Sequence, residues 1–120
     1  MKIDINRNEK LVNIKLIGKY DIEELLFFST LFTDEISKKP PVIALDLADL
    51  SYIDSSGIGS LIRYMNMATK ENVYFLCYNL NKNIENVFKI SKLDQFLPIL
   101  SNEAFQKKYY NLYVASKNSY

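Results

Sequence analysis

Leu50-Ser51-Tyr52-Ile53-Asp54-Ser55-Ser56-Gly57-Ile58-Gly59 is the stretch on which the reading of this chain turns. Before it, Val42-Ile43-Ala44-Leu45-Asp46-Leu47 is an almost unbroken apolar run, the pattern of a strand buried on both faces. After it, Ile58, Leu61, Ile62, Met65 and Ala68 recur at spacings of three and four, which predicts a helix finishing near Lys70. The stretch thus carries two hydroxyls and two glycines into the first turn of a helix, just beyond a strand. Free backbone N–H groups and partial positive charge at a helix N-terminus favour an anionic group there. Ser55 and Ser56 fit two roles on these grounds: both are plain helix caps, or one of them carries a phosphate. Asp54 either shapes and caps the turn or positions Ser55 for modification. Gly57 and Gly59 keep bulky side chains out of the first turn, as access to the hydroxyl or tight packing would require.

Outward from this stretch, Lys2-Ile3-Asp4-Ile5 and Leu11 to Ile17 alternate about a polar turn, Arg7 to Lys10, and predict an antiparallel hairpin. Gly18-Lys19-Tyr20-Asp21 breaks the alternation. Asp21 and Glu24 have the spacing of a capping box. A helix to about Ser37 follows, with Leu25, Phe28, Phe32 and Ile36 on one stripe. Phe27 and Leu31 widen that stripe beyond what a core-facing side needs. Pro40-Pro41 ends the helix. Val73 to Tyr78 reads as a second interior strand, Asn81 to Ile90 as a helix with Ile84, Val87 and Phe88 inward. Phe96 to Ile99 reads as a short edge strand because Pro98 has no N–H to donate. Ser101-Asn102-Glu103-Ala104 opens a last helix. Tyr74, Phe75, Cys77, Phe88 and Phe96 are expected in the core.

The order β-β-α-β-α-β-α-β-α predicts an α/β fold. Its sheet is mixed but mostly parallel, with an antiparallel strand at its N-terminal end, right-handed crossovers and about four helices. One domain is expected over residues 1–114. Gln106 to Val114 either finishes the last helix or packs across the sheet edge, and 115–120 form a short C-terminal tail.

Composition narrows the function. The 120 residues hold 48% hydrophobic and 24% charged side chains, as a globular domain does, and carry a net charge of +1 with no concentration of Lys and Arg. A dedicated nucleic-acid surface is therefore not expected. No apolar run reaches the ~20 residues of a membrane span, and Met1-Lys2-Ile3-Asp4 begins no signal peptide. A lone cysteine, Cys77, suits a reducing, cytoplasmic setting. Histidine is absent, which removes Ser-His-Asp and Cys-His catalysis and the commonest metal ligand. No Gly-x-Ser-x-Gly elbow surrounds Ser55. The expectation is a binding module with no catalysis of its own, no cofactor and no metal. Its candidate docking surface is the helix face carrying Ser60, Arg63, Tyr64 and Met67, where Tyr, Arg and Met are interface-prone types.

The run Leu45-Asp46-Leu47-Ala48-Asp49-Leu50-Ser51-Tyr52-Ile53-Asp54-Ser55-Ser56-Gly57-Ile58-Gly59 resembles the signature of STAS domains, and specifically of the anti-sigma factor antagonists. Lys15 to Asp21 resembles a second family segment, Leu-x-Gly-Glu-Leu-Asp. The strand ending at Cys77 and Val87 to Phe96 resemble later ones, so the likeness covers about residues 10 to 105. The chain departs from the family pattern at Lys19, where an acidic residue is usual. It departs again at Glu71-Asn72, in place of a glycine pair, and at Lys92, in place of a glycine.

The resemblance implies partner switching. The unmodified antagonist binds an anti-sigma factor that is also a serine kinase, the kinase phosphorylates the first serine of the motif, here Ser55, and the antagonist lets go. A metal-dependent serine phosphatase resets the switch. Partner contacts are expected from Asp21, Asp54, Ser56, Gly57, Gly59, Ser60, Arg63, Tyr64 and Met67. The alternative keeps the fold without the switch: a fixed STAS module of a transporter or sensory complex, or one that binds a nucleotide or lipid.

Overall fold

The computed structural model describes residues 1–109. Its elements are β1 (Lys2–Arg7), β2 (Leu11–Tyr20), α1 (Ile22–Ser37), β3 (Val42–Asp46), β4 (Leu50–Ile53), α2 (Ser55–Lys70), β5 (Tyr74–Tyr78), α3 (Lys82–Ile90), a 3₁₀ turn (Leu93–Gln95) and β6 (Ile99–Leu100). A final helix, α4, follows over 102–109. The choice between helix and sheet-edge packing is thus made in favour of helix as far as Tyr109. Residues 110–114 and the tail 115–120 lie outside the described residues.

The sheet runs β1-β2-β3-β5-β6, antiparallel between β1 and β2 and parallel elsewhere. This is the mixed sheet that the alternating elements predict. One strand differs from that expectation. Leu50–Ile53, absent from the expected strands, forms β4 and pairs in parallel with β2. Only its ends, Leu50 and Ile53, are buried, while Ser51 and Tyr52 face outward, so four residues leave no period to read.

The ten residues of β2 serve two partners. Leu11 to Lys15 pair with β3 and Gly18 to Tyr20 with β4, across a register shift between Gly18 and Lys19. Gly18 makes the kink possible: its φ of +100° is open to glycine and strained for other residues. Its N–H donates to the Asp49 carbonyl at 3.0 Å and its carbonyl accepts the Ser51 hydroxyl at 3.0 Å.

Helices α1, α2 and α3 cover one face of the sheet. Beneath them Val12, Ile14, Leu16, Ile43, Leu45, Phe75 and Cys77 meet Phe28, Phe32, Leu61, Ala68, Ile84 and Phe88. Glu35 is buried in this layer, held by Arg7 and by Lys38 at 3.6 Å. The opposite face is apolar only where α4 lies on it. There Leu11, Ala44, Leu76 and Tyr78 pack against Phe105 and Tyr109, and the Tyr78 and Phe105 rings stack at 3.7 Å. Two expected core aromatics are not core: Tyr74 is 39% exposed and Phe96 56% exposed. Tyr74 sits at the rim of this second layer, and Phe96 follows the 3₁₀ turn, ahead of a β6 of two residues that begins beyond Pro98.

Candidate functional site at two helix starts

Parallel pairing of β2 with β4 has a direct consequence. Each strand hands over to a helix through an aspartate, Tyr20-Asp21-Ile22 and Ile53-Asp54-Ser55, so α1 and α2 start side by side. Both aspartates are N-caps in extended conformation. Asp21 accepts the Glu23 N–H at 3.1 Å. Asp54 does more. One carboxylate oxygen accepts the Gly57 N–H at 2.9 Å and the Ser56 hydroxyl at 2.6 Å, and the other accepts the Ile22 N–H of α1 at 3.1 Å. Its own N–H donates to the Tyr20 carbonyl. The Ser56 hydroxyl and then the Gly57 N–H hold the Asp54 carboxyl below the usual carboxylate range. One side chain therefore caps its own helix and ties it to the neighbouring one.

The two serines part company here. Ser56 commits its hydroxyl to Asp54. Ser55 is exposed, and its hydroxyl makes no hydrogen bond to the described residues. The two glycines part as well. A Cβ on Gly57 would lie 2.8 Å from Ile53 Cγ1 and 3.0 Å from the Tyr20 carbonyl oxygen. Gly57 is buried, and it lets α2 approach the end of β2. A Cβ on Gly59 would meet nothing closer than Arg63 Nη1 at 3.7 Å, so that position is open to the outside.

Ser60 and Tyr64 correct the expected docking face. Both are buried, at 0% and 1% exposure, beneath the first turns of α2. The Tyr20 hydroxyl bonds to Ser60 and to Tyr64 at 3.2 Å, and Ser60 donates on to the Gly57 carbonyl at 2.6 Å. The Tyr64 ring stacks on Phe32 at 4.5 Å. Three hydroxyls thus satisfy one another inside the core, and burial pushes the Tyr20 phenol well above the ordinary tyrosine range. These groups support the turn from below and are out of reach of a second protein, as is Gly57. Arg63 is exposed as expected. Met67 packs half-buried against the core about 18 Å along α2 from Ser55, too far to share its surface.

Four exposed apolar side chains lie on the elements that meet at this junction, and none of them was expected as a docking residue. Ile22, Leu26 and Phe27, on the first two turns of α1, are 68%, 79% and 62% exposed, and Tyr52 of β4 is 49% exposed. The excess of apolar residues over a single stripe in α1 was the available signal. Among the described residues no group of three or more Cys, Asp or Glu side chains is placed to hold a metal ion, and no helix is long and apolar enough to cross a membrane.

Comparison with known proteins agrees with this geometry. The "Anti-sigma-B factor antagonist" of Bacillus subtilis (strain 168) is 21% identical over 99 residues, spanning 82% of this chain and 90% of the relative. The anti-sigma factor antagonist SpoIIAA, in its unphosphorylated form, superposes with a TM-score of 0.73 at 20% identity, over 88% of this chain and 95% of that one. Its phosphorylated form, described as a Bacillus cell fate determinant, gives 0.68 at 18% identity, over 89% and 98%. A sulfate transporter family protein from Wolinella succinogenes shares the fold with a TM-score of 0.66 at 14% identity, over 75% of each chain. The STAS domain family itself is matched over residues 2–105, and with its sheet, its paired helix starts and its Asp54-Ser55-Ser56-Gly57 turn in place, this chain belongs to that family.

Proposed function

We propose that the chain is an anti-sigma factor antagonist that works by partner switching in the cytoplasm, with Ser55 as the switch. Unmodified, it binds an anti-sigma factor with serine kinase activity and thereby frees a sigma factor. The kinase transfers the γ-phosphoryl group of ATP to Ser55 Oγ: an O–P bond forms, the bond to the β-phosphate oxygen breaks, ADP leaves and the hydroxyl proton is lost. A serine phosphatase hydrolyses the ester and restores the hydroxyl. The chain is substrate and binding module in this cycle, never catalyst.

One observation carries the reading: of two adjacent serines, Ser55 alone offers an exposed hydroxyl with no bond to the described residues, whereas Ser56 is committed to Asp54. The exposed apolar side chains Ile22, Leu26, Phe27 and Tyr52 support it, because apolar clusters beside a modifiable group suit a protein partner. Release has a simple physical basis. Phosphorylation adds about −1.5 to −2 charge and three strong acceptors. Against a partner surface fitted to a neutral hydroxyl, a loss of ~3 kcal/mol corresponds to roughly 150-fold weaker binding.

Incubation with the cognate kinase and ATP, followed by mass spectrometry, tests this. One phosphate on Ser55 is expected, lost in Ser55→Ala and kept in Ser56→Ala. Ser55→Glu is expected to fold normally and bind the anti-sigma partner roughly 100-fold less well. Full affinity in Ser55→Glu, or no phosphate at Ser55, returns the chain to the reading of a fixed subunit.

A further inference from the structure

A phosphate on Ser55 would meet helix starts whose backbone donors are largely engaged and whose side chains are acidic. The Ile22 and Gly57 N–H groups are taken by Asp54, the Glu23 N–H by Asp21, and the Glu24 N–H by the Asp21 carbonyl. Three of these donors are thus already engaged by carboxylates and the fourth by a backbone carbonyl. Asp54, Asp21 and Glu23 would all repel an incoming dianion. On the positive side, Lys19 and Arg63 are exposed near this turn, and neither has an ion-pair partner among the described residues.

Of the two, Arg63 is placed by the helix itself. Ser55, Gly59 and Arg63 stand at intervals of four residues and so form one strip along α2. Long side chains on a helix lean toward its N-terminus. Arg63 does so here: its Nη1 lies 3.7 Å from the point where Gly59 would carry a Cβ, about one turn short of Ser55. A side chain at position 59 would stand in that path. Gly59 has no close internal neighbour that excludes a larger residue, so packing does not require the glycine, and its bare backbone leaves the way from Arg63 toward Ser55 clear.

Resting on the reading of Ser55 as the modified residue, we propose that Arg63 is the intramolecular receptor of the Ser55 phosphate, reaching it across the bare backbone of Gly59. A planar guanidinium pairs with phosphate through two N–H donors at once. The pair has a regulatory consequence. In the unmodified protein Arg63 is free to meet a partner, and in the phosphorylated protein it is withdrawn. Modification then removes a cation from the docking surface as well as adding an anion.

The test needs neither kinase nor partner. Phosphoserine is installed genetically at position 55 of the full chain, and the second ionisation of the phosphate is followed by ³¹P NMR. In the parent chain it is expected at a pH lower by about half a unit or more than in Arg63→Gln, because an adjacent cation favours the dianion. Gly59→Leu, which keeps the arginine but blocks its path, is expected to shift the ionisation upward like Arg63→Gln. Arg63→Lys is expected to recover part of the difference. Unchanged amide spectra of the unphosphorylated variants establish that folding is intact. Superimposable titrations for parent and Arg63→Gln overturn the proposal, as does a Gly59→Leu titration identical to that of the parent. The kinase assay decides separately whether Ser55 is a switch, so either idea can fail alone.

Discussion

The two strand-to-helix junctions of this molecule share one backbone solution and put it to different uses. At β2–α1 and at β4–α2 an extended aspartate caps the helix, and the parallel pairing of the strands sets the two caps side by side. The residues beyond each aspartate differ. Ile22-Glu23-Glu24-Leu25-Leu26-Phe27 sends large side chains outward, whereas Ser55-Ser56-Gly57-Ile58-Gly59 keeps its surface low around one free hydroxyl. A single surface thus gains a sticky wall and an accessible reactive group from two copies of the same local fold. The asymmetry lies in the third residue after each cap, Glu24 in one and Gly57 in the other. Glu24 has room for its side chain, and Gly57 has none.

That difference gives the largest expected effect. Gly57→Ala forces its Cβ against Ile53 and the Tyr20 carbonyl, and α2 or β4 must shift. Overpacking of this kind destabilises by about 2–3 kcal/mol. Glu24→Ala, at the equivalent place in α1, removes only an ion pair with the Met1 amino group and is expected to cost about 1 kcal/mol or less. Urea unfolding of the pair checks this, and equal midpoints would mean that the two junctions are packed alike.

The aspartates give the next contrast. Asp54 bonds to its own helix and to α1, Asp21 only within its own turn, so Asp54→Ala is expected to lower the urea midpoint more than Asp21→Ala. The acid limb of stability sharpens the point. In the folded protein the Asp54 carboxyl ionises below its unfolded value. Its contribution is therefore complete above the unfolded value of about 4 and is lost as pH falls through the folded one. Asp54→Asn is expected to flatten the fall of stability below pH ~4. A profile parallel to that of the parent would show that the cap bonds do not favour the ionised form.

The apolar wall is tested by binding. Leu26→Ser is expected to weaken the anti-sigma complex about tenfold, or ~1.4 kcal/mol, while leaving stability within about 0.5 kcal/mol. Ile90, 84% exposed at the end of α3, supplies the control. Ile90→Ser is expected to change neither quantity, and equal losses from both variants would deny the α1 residues any special place.

Much of this was legible in the residues, and the remainder was hidden for a common cause. The strand–turn–helix context of Asp54-Ser55-Ser56-Gly57 and the caps at Asp21 and Asp54 are local, written in hydrophobic period and side-chain chemistry. The inward turn of Ser60 and Tyr64 is not local. Their polarity placed them outside, and the Tyr20 hydroxyl that joins them inside comes from forty residues before Ser60 in sequence. The exposure of Ile22 and Leu26 is the mirror case. Nothing in α1 alone tells which of its many apolar residues the core will take. β4 exists because β2 kinks at Gly18 and needs a second partner, a pairing that four residues cannot announce.

The helices' other ends give the smallest effect and a last check on the contrast. Each of α1, α2 and α3 is followed by a non-glycine residue in the left-handed region: Lys39 at φ +51°, Asn72 at +58° and Lys92 at +61°. Backbone strain sits at these exits, while the entry caps Asp21 and Asp54 are in relaxed extended conformation. Lys92→Gly is therefore expected to raise stability by about 0.5–1 kcal/mol, the relief of left-handed strain less the added freedom of the unfolded chain. Since Gly57 lies in the first turn of α2 and Lys92 follows α3, the gain is expected to add to the loss from Gly57→Ala within about 0.5 kcal/mol. A double-mutant cycle measured by urea unfolding decides it. Additivity means that the entry turns can be shaped for docking without help from the exits. Strong coupling would mean that strain released at the exit of α3 is felt at the entry of α2, and the two junctions could no longer be compared as independent units.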